Sequence, residues 1–310
     1  MAELFGPDRR VAWVFPGQGS QTVGMGKALY DTDEHVRRLY DRADSILEYS
    51  LSSICFDGPA DTLQQTNHAQ PALLVTELAH LHALRHRYPA DFETADFVAG
   101  HSLGEYAALV AAGVLDFEAA LRLVAERGRL MQEAGAALGR PTGMMALLGL
   151  PESELDALCE EADVDLANLN APGQVVISGP LDALERAGAL AKERGAKRAI
   201  PLQVSAAFHS RWMKPMSEQF AVSIEATDFS APLIPLVANV TARPADTADE
   251  IRTLLHKQTY SPVRWIESVR YMVEQGVDTF VEVGPGKVLS GLVKRIAPEA
   301  QTFSSDDLLS

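Results

Sequence analysis

A glycine-flanked serine between a short apolar run and a helical pattern, an N-terminal apolar run closed by Pro-Gly, and a mid-chain β-α-β-β-α-β succession predict a two-part α/β fold. The first two features imply a large α/β-hydrolase-like domain whose loops sit at strand ends. The third implies a small ferredoxin-like domain inserted into it. The pattern puts the boundaries at 1–139 and 205–310 for the large domain and 140–204 for the insert.

Residues 11–15, VAWVF, form an apolar run ended by Pro16-Gly17, a buried strand feeding a tight turn. Helical patterns follow over 23–30 and 35–47. Another covers 71–88, where Leu73, Leu74, Leu78, Leu81 and Leu84 recur at helical spacing and Pro71 suits the first turn. Residues 97–99 read as a strand and 105–112 as a helix stopped at Gly113, and 117–137 as a long helix. The rhythm then changes. Strands over 143–150, 164–169, 175–178 and 197–204 alternate with helices over 152–162 and 181–194, in ferredoxin-like order. The large domain resumes through 233–240, 251–257, 263–275 and 279–283, and the tail SSDDLLS reads as frayed.

Composition excludes several functions. The net charge of −15 offers no basic stripe for nucleic acid. The N-terminal residues lack the apolar core of a secretion signal, and the longest apolar run near the serine falls short of the roughly 18 residues that suggest a membrane span. Only Cys55 and Cys159 are present, far apart, so neither a zinc knuckle nor a disulfide framework is indicated and a reducing, cytoplasmic setting is expected.

Gly100-His101-Ser102-Leu103-Gly104 has the G-x-S-x-G pattern of a serine on a sharp strand-to-helix turn. The turn projects the hydroxyl, and the helix N-terminus favours negative charge beside it. A serine hydroxyl needs a base. Of eight histidines, His101 adjoins the serine on a turn that sends its side chain elsewhere, and His80, His82 and His86 share a helix with no H-E-x-x-H pattern. His209 follows the serine in the chain and lies where the insert returns to the large domain, which makes it the best-placed base. An oxyanion needs two donors. Leu103 N–H supplies one, and the Pro16-Gly17-Gln18-Gly19 loop is suited to supply the other. That loop is not a dinucleotide fingerprint, because Thr22 holds the last glycine position; Gly284-Pro285-Gly286-Lys287 likewise fails as a phosphate loop. Read from the residues alone, Arg127 is an ordinary surface arginine of a helix, paired with Glu126 or Glu133.

PGQGSQ, GHSLGE, RGRLMQEA, NAPGQVVISG, FHS, QTYSPVRW and VGPGK form an ordered series over about residues 11–297. Together they resemble the malonyl-CoA:acyl-carrier-protein transacylases of fatty-acid synthesis and the related acyltransferase domains of polyketide synthases. The resemblance implies a ping-pong transfer of malonyl to the phosphopantetheine thiol of acyl carrier protein, without metal or redox cofactor. It implies Ser102 as nucleophile, His209 as base held by main-chain carbonyls, Gln18 and Leu103 as oxyanion donors, and Arg127 as partner of the malonyl carboxylate. Gln258 matches a glutamine whose region orients the histidine, Asn170 faces the site from the insert, and His101 is a supporting residue. Phe208, before the base, goes with malonyl rather than methylmalonyl, although Ala206-Ala207 stand where malonyl-type polyketide domains have His-Ala.

The expected partners are malonyl-CoA and an acidic carrier protein, met by a monomer. Because the chain itself is acidic, a local basic rim of Lys192, Arg194, Lys197, Arg198, Arg211, Lys214 and Lys287 is expected at the site mouth. A free-standing acyltransferase serving a polyketide synthase, a serine thioesterase and a non-catalytic binding module are the alternatives.

Overall fold

Val11–Phe15 carries five buried residues without polar alternation, as a strand covered on both faces requires. In the computed structural model it is β1, near the middle of a six-stranded sheet. The structure describes residues 5–6, 9–137 and 139–310. The first four residues, read above as lacking a secretion signal, and residue 138, beside the first domain boundary, lie outside the described residues.

In chain order the strands are β1, β2 (Phe97–Gly100), β3 (Thr142–Leu148), β4 (Asp165–Ala171), β5 (Gln174–Pro180), β6 (Arg198–Pro201), β7 (Leu236–Ala238), β8 (Arg243–Ala245), β9 (Thr279–Glu282) and β10 (Gln301–Ser304). The larger sheet runs β10-β9-β1-β2-β7-β8, parallel except for the antiparallel edge strand β8. The smaller runs β4-β5-β3-β6 and is antiparallel throughout. The chain is therefore a mixed α/β protein built on a parallel sheet.

Register decides which loops meet. Phe15 on β1 pairs with Gly100 on β2, and Ala99 on β2 with Val237 on β7. The loops leaving the carboxyl ends of these three adjacent strands carry Gln18, Ser102 and Asn239. In open parallel sheets ligands bind in the crevice at this edge. The smaller sheet is tied to it through β4: Leu169 N–H donates to Val263 O (2.9 Å) and Val263 N–H to Ala167 O (2.9 Å). Those bonds hold Asn168 and Asn170 over the crevice.

Two long helices bring in the remaining groups. Thr66–Arg87 begins five residues before the sequence pattern suggested, so Pro71 lies inside it and Gln70 becomes helical. Its packing partner is Phe117–Ala137. A Cβ on Gly128 would lie 2.9 Å from Thr66 O, and one on Gly135 would lie 2.2 Å from Ser205 O. Glycine at these two positions lets the helix press against both segments, which sets Arg127 beside Gln70.

The tail differs from expectation. Residues Gln301–Ser304 form the outer strand and Ser305–Leu309 a helix. Ser305 is buried, accepts from Gly284 N–H (2.9 Å) and bonds His80 Nδ1 (2.8 Å). The polar letters of this tail satisfy interior groups rather than solvent. The strand expected over 233–240 shrinks to Leu236–Ala238, because Pro235 lacks the N–H a ladder needs and Leu233 projects into solvent.

Candidate active site

Ser102 sits at φ 52°, in the left-handed region, between β2 and the helix Gly104–Ala111. A non-glycine residue holds this conformation only where its surroundings over-determine it. They do so here. A Cβ on Gly100 would fall 1.9 Å from Gly104 C, and one on Gly104 would fall 2.1 Å from Phe15 O. Both motif glycines are thus steric requirements of the turn. Ser102 N–H donates to Asn239 Oδ1 (2.7 Å), and Asn239 Nδ2 donates to Gly100 O (2.6 Å). This clamp closes the turn from the β7 side.

Ser102 Oγ lies 2.7 Å from His209 Nε2. His209 is also left-handed, at φ 56°. The carbonyls before it are fixed by Ser178 Oγ–H to Phe208 O (2.6 Å) and Ser210 Oγ–H to Ala207 O (2.5 Å). His209 Nδ1 faces Gln258 O (2.8 Å) and Ser261 O (3.2 Å). Carbonyl oxygens only accept, so Nδ1 carries the proton and Nε2 presents its lone pair to the serine hydroxyl.

Burial lowers the His209 pKa to about 3, and the neighbouring Arg127 charge pushes the same way, against the two carbonyl bonds. The imidazole is therefore neutral over the whole ordinary range. Serine acylation is expected to show no loss as pH falls from 8 through 6.5, the range in which an ordinary histidine would protonate; single-turnover rates across a pH series check this. Between about 6.5 and 3 the unfolded chain holds a proton here that the native chain does not. This contribution to stability is complete above that window and is lost as pH falls through it.

Arg127 is fully buried. Nη1 donates to Gln70 Oε1 (2.7 Å), and Nη2 donates to Gln258 Oε1 (3.0 Å) and Ser102 Oγ (3.1 Å). Nε has no acceptor among the described residues, and the Tyr106 ring lies 5.6 Å from the guanidinium. The surface alternative raised by the sequence is overturned: Glu126 and Glu133 pair with Arg129 instead (2.6 and 2.7 Å). Every group that accepts directly from Arg127 is uncharged. A buried guanidinium with a free donor has the planar fork that pairs with a carboxylate.

A cavity of about 400 Å³ opens onto these groups, lined on one side by Gln18, Ser102, Leu103, Arg127 and His209, and on the other by Met144, Asn168, Asn170 and Val176 of the smaller sheet. The main-chain N–H groups of Gln18 and Leu103 have no acceptor among the described residues. A Cβ on Gly17 would lie 2.4 Å from His101 O, so this glycine allows the first loop to approach the serine turn. His101 Nε2 lies 2.8 Å from Asn170 Oδ1, and its ring meets Trp265 edge-on; burial lowers its pKa. Its side chain thus turns from the serine toward the smaller sheet. Phe208 is buried and lines the cavity. Among the described residues no group of side chains could hold a metal ion.

All nine site residues expected from the sequence therefore meet at one cavity or directly behind it. Three others were missed: Gln70, Glu105 and Asn239. Each is a buried polar residue inside or at the end of an apolar run, in QPALLV, GEYAALVA and LVAN. That burial pattern is the available signal, because a polar group placed there must be satisfied. The basic rim fares less well. Arg194 pairs with Glu154 and Glu161, Arg211 with Asp163 and Asp165, and Lys287 with Asp307. Lys192, Lys197, Arg198 and Lys214 form no ion pair among the described residues.

Comparisons with known proteins show the family. Residues 12–309 match the model of the acyl transferase domain. A malonyl CoA-acyl carrier protein transacylase of Bacillus subtilis is 47% identical over 303 residues, covering 96% of this chain and 94% of that one. The crystal structure of an acyl carrier protein S-malonyltransferase from Vibrio cholerae superposes with a TM-score of 0.91 at 42% identity, covering 97% and 100% of the two chains. A complex of a type II polyketide-synthase acyl-carrier protein with its malonyl-transacylase gives a TM-score of 0.90 at 42% identity, covering 95% of each. The chain belongs to the acyl transferase family, together with the malonyl CoA-acyl carrier protein transacylases.

Proposed function

We propose that this chain moves malonyl from malonyl-CoA to the phosphopantetheine thiol of acyl carrier protein through a malonyl-Ser102 intermediate, supplying extender units for fatty-acid synthesis. The observation that carries the reading is Arg127, a buried cation with uncharged acceptors 3.1 Å from the serine oxygen. A hydrolase has no use for such a group. A transferase that selects a carboxylated acyl chain does.

In this mechanism the malonyl carboxylate draws Arg127 onto itself and off Ser102 Oγ, freeing an oxygen lone pair. Oγ attacks the thioester carbon as His209 Nε2 takes its proton. The carbonyl oxygen becomes an oxyanion held by the N–H groups of Gln18 and Leu103. Collapse breaks the C–S bond, and His209 returns its proton to the departing CoA sulfur. The carrier thiol then enters by the same steps in reverse. Neutralising Arg127 with the substrate carboxylate also removes one cause of the low His209 basicity, so the correct substrate strengthens its own base. Phe208 limits room for an α-methyl group, and Asn170 with His101 borders the acyl pocket. No step draws on a metal or redox cofactor.

We read the architecture as an α/β-hydrolase-like domain, 1–139 and 205–310, with a ferredoxin-like insert at 140–204, the site lying between them. The β6-β3-β5-β4 order of the small antiparallel sheet supports this. We place the protein in the cytoplasm as a monomer, docking its carrier through Lys192, Lys197, Arg198 and Lys214. A role in trans for a polyketide synthase is the second reading, favoured by the similarity to the type II carrier–transacylase complex. The test is the fate of the acyl-enzyme. Purified malonyl-enzyme should pass its acyl group to holo carrier protein much faster than to water; equal loss with and without carrier would indicate a thioesterase.

A further inference from the structure

Glu105 belongs to the first turn of the helix after the nucleophile, is 2% exposed, and has no part in the mechanism above. Its Oε2 accepts two hydrogen bonds, from Asn239 N–H (3.1 Å) and Gln258 Nε2 (3.1 Å). Gln258 Nε2 also donates to Ser102 O (2.9 Å). Two acceptors thus converge on the nitrogen end of the Gln258 amide. The oxygen end is left for Arg127 Nη2, at 3.0 Å. Turned the other way, the amide would set oxygen against two oxygens, and N–H against the N–H of the guanidinium.

We infer that Glu105 is a positioning residue: its Oε2 fixes the orientation of the Gln258 side chain and thereby aims Arg127 at the carboxylate of the acyl group. The inference rests on the reading of Arg127 given above. The same oxygen joins the arginine to the serine turn, because Asn239, held by Glu105 through its main chain, clamps Ser102 through its side chain. Gln258 in turn holds Arg127 with its side chain and His209 with its main-chain oxygen. One buried carboxylate oxygen thus sets the relation between the anchor for the substrate and the reacting pair. The helix N-terminus beside it favours a carboxylate at this position. Burial raises its pKa to about 7, and protonation of the other oxygen leaves Oε2 an acceptor, so placement rather than charge carries the role.

Three variants separate placement from charge. Glu105→Gln keeps an oxygen at the acceptor position and loses the charge. Glu105→Asp keeps the charge and withdraws the oxygen. Glu105→Met fills the space and loses both. The readout is the ratio of Ser102 acylation rates by malonyl-CoA and acetyl-CoA, followed by intact-protein mass. Glu105→Gln should hold the ratio within about threefold of wild type, and Glu105→Asp and Glu105→Met should lower it about tenfold. A merely structural role would slow both acyl groups alike and leave the ratio constant. An unchanged ratio in Asp and Met, or a Gln variant that falls as far as Met, overturns the inference. If Met does not fold, the comparison of Gln with Asp decides. A wild type that acylates equally from both thioesters would instead overturn the function reading, whatever the variants do.

Discussion

Arg127→Ala is expected to lower kcat/KM for malonyl-CoA by about 100- to 1000-fold, the loss of a desolvated charge-assisted pair, and to lower that for acetyl-CoA far less. The asymmetry matters more than the size. Arg127 is held by the amide oxygens of Gln70 and Gln258 and by Ser102 Oγ, and in the proposed mechanism its anion comes with the substrate. Acetyl-CoA brings no carboxylate and leaves the guanidinium without a directly bonded anion, so little of its rate depends on that charge. Arg127→Lys should fall between, because an ammonium keeps the charge but cannot span two amide oxygens and a carboxylate with a planar fork. Parallel kinetics with the two thioesters check this; an equal loss for both would mean that Arg127 only supports the fold around the serine.

His209→Ala should slow acyl-enzyme formation by about 100- to 10,000-fold, the usual range for a positioned general base. The residual rate comes from the oxyanion donors and substrate binding, which the substitution does not touch. The protein should remain folded, since the left-handed turn at residue 209 is held from outside, by Ser178 on Phe208 O and Ser210 on Ala207 O. Rapid-quench measurement of CoA release, beside a thermal melt, separates the two effects. A melt lowered enough to account for the rate would remove His209 from the reaction.

Much of this was legible because local chemistry and fold agree. The VAWVF run becomes a central strand since no polar residue interrupts it. The serine turn is written in its glycines, whose missing Cβ atoms are required by the approach of Phe15 O and the following helix. The succession of elements at 140–204 appears in the described structure in the expected order, β3, helix, β4, β5, helix, β6.

What could not be read has a common cause. Glu105, Asn239 and Gln70 act through partners 134, 137 and 57 residues away. Spacing within the chain carries no trace of such pairings. Arg127 was legible only through the resemblance: its helix also carries Glu126 and Glu133, and only the rotation of that helix hands those acids to Arg129 and turns Arg127 inward. The C-terminal tail failed for a similar reason, since its serines look solvated until Gly284 and His80 are brought against Ser305.

In the proposed mechanism Ser102 accepts a malonyl group because Arg127 pairs with its carboxylate. The most direct test is intact-protein mass after a brief exposure to malonyl-CoA, with acetyl-CoA and Ser102→Ala as controls. A malonyl adduct is expected on the wild type, with little acetyl adduct, none on Ser102→Ala, and rapid discharge by holo carrier protein. An adduct that persists on Ser102→Ala, or acetyl and malonyl adducts formed equally fast, would contradict that mechanism.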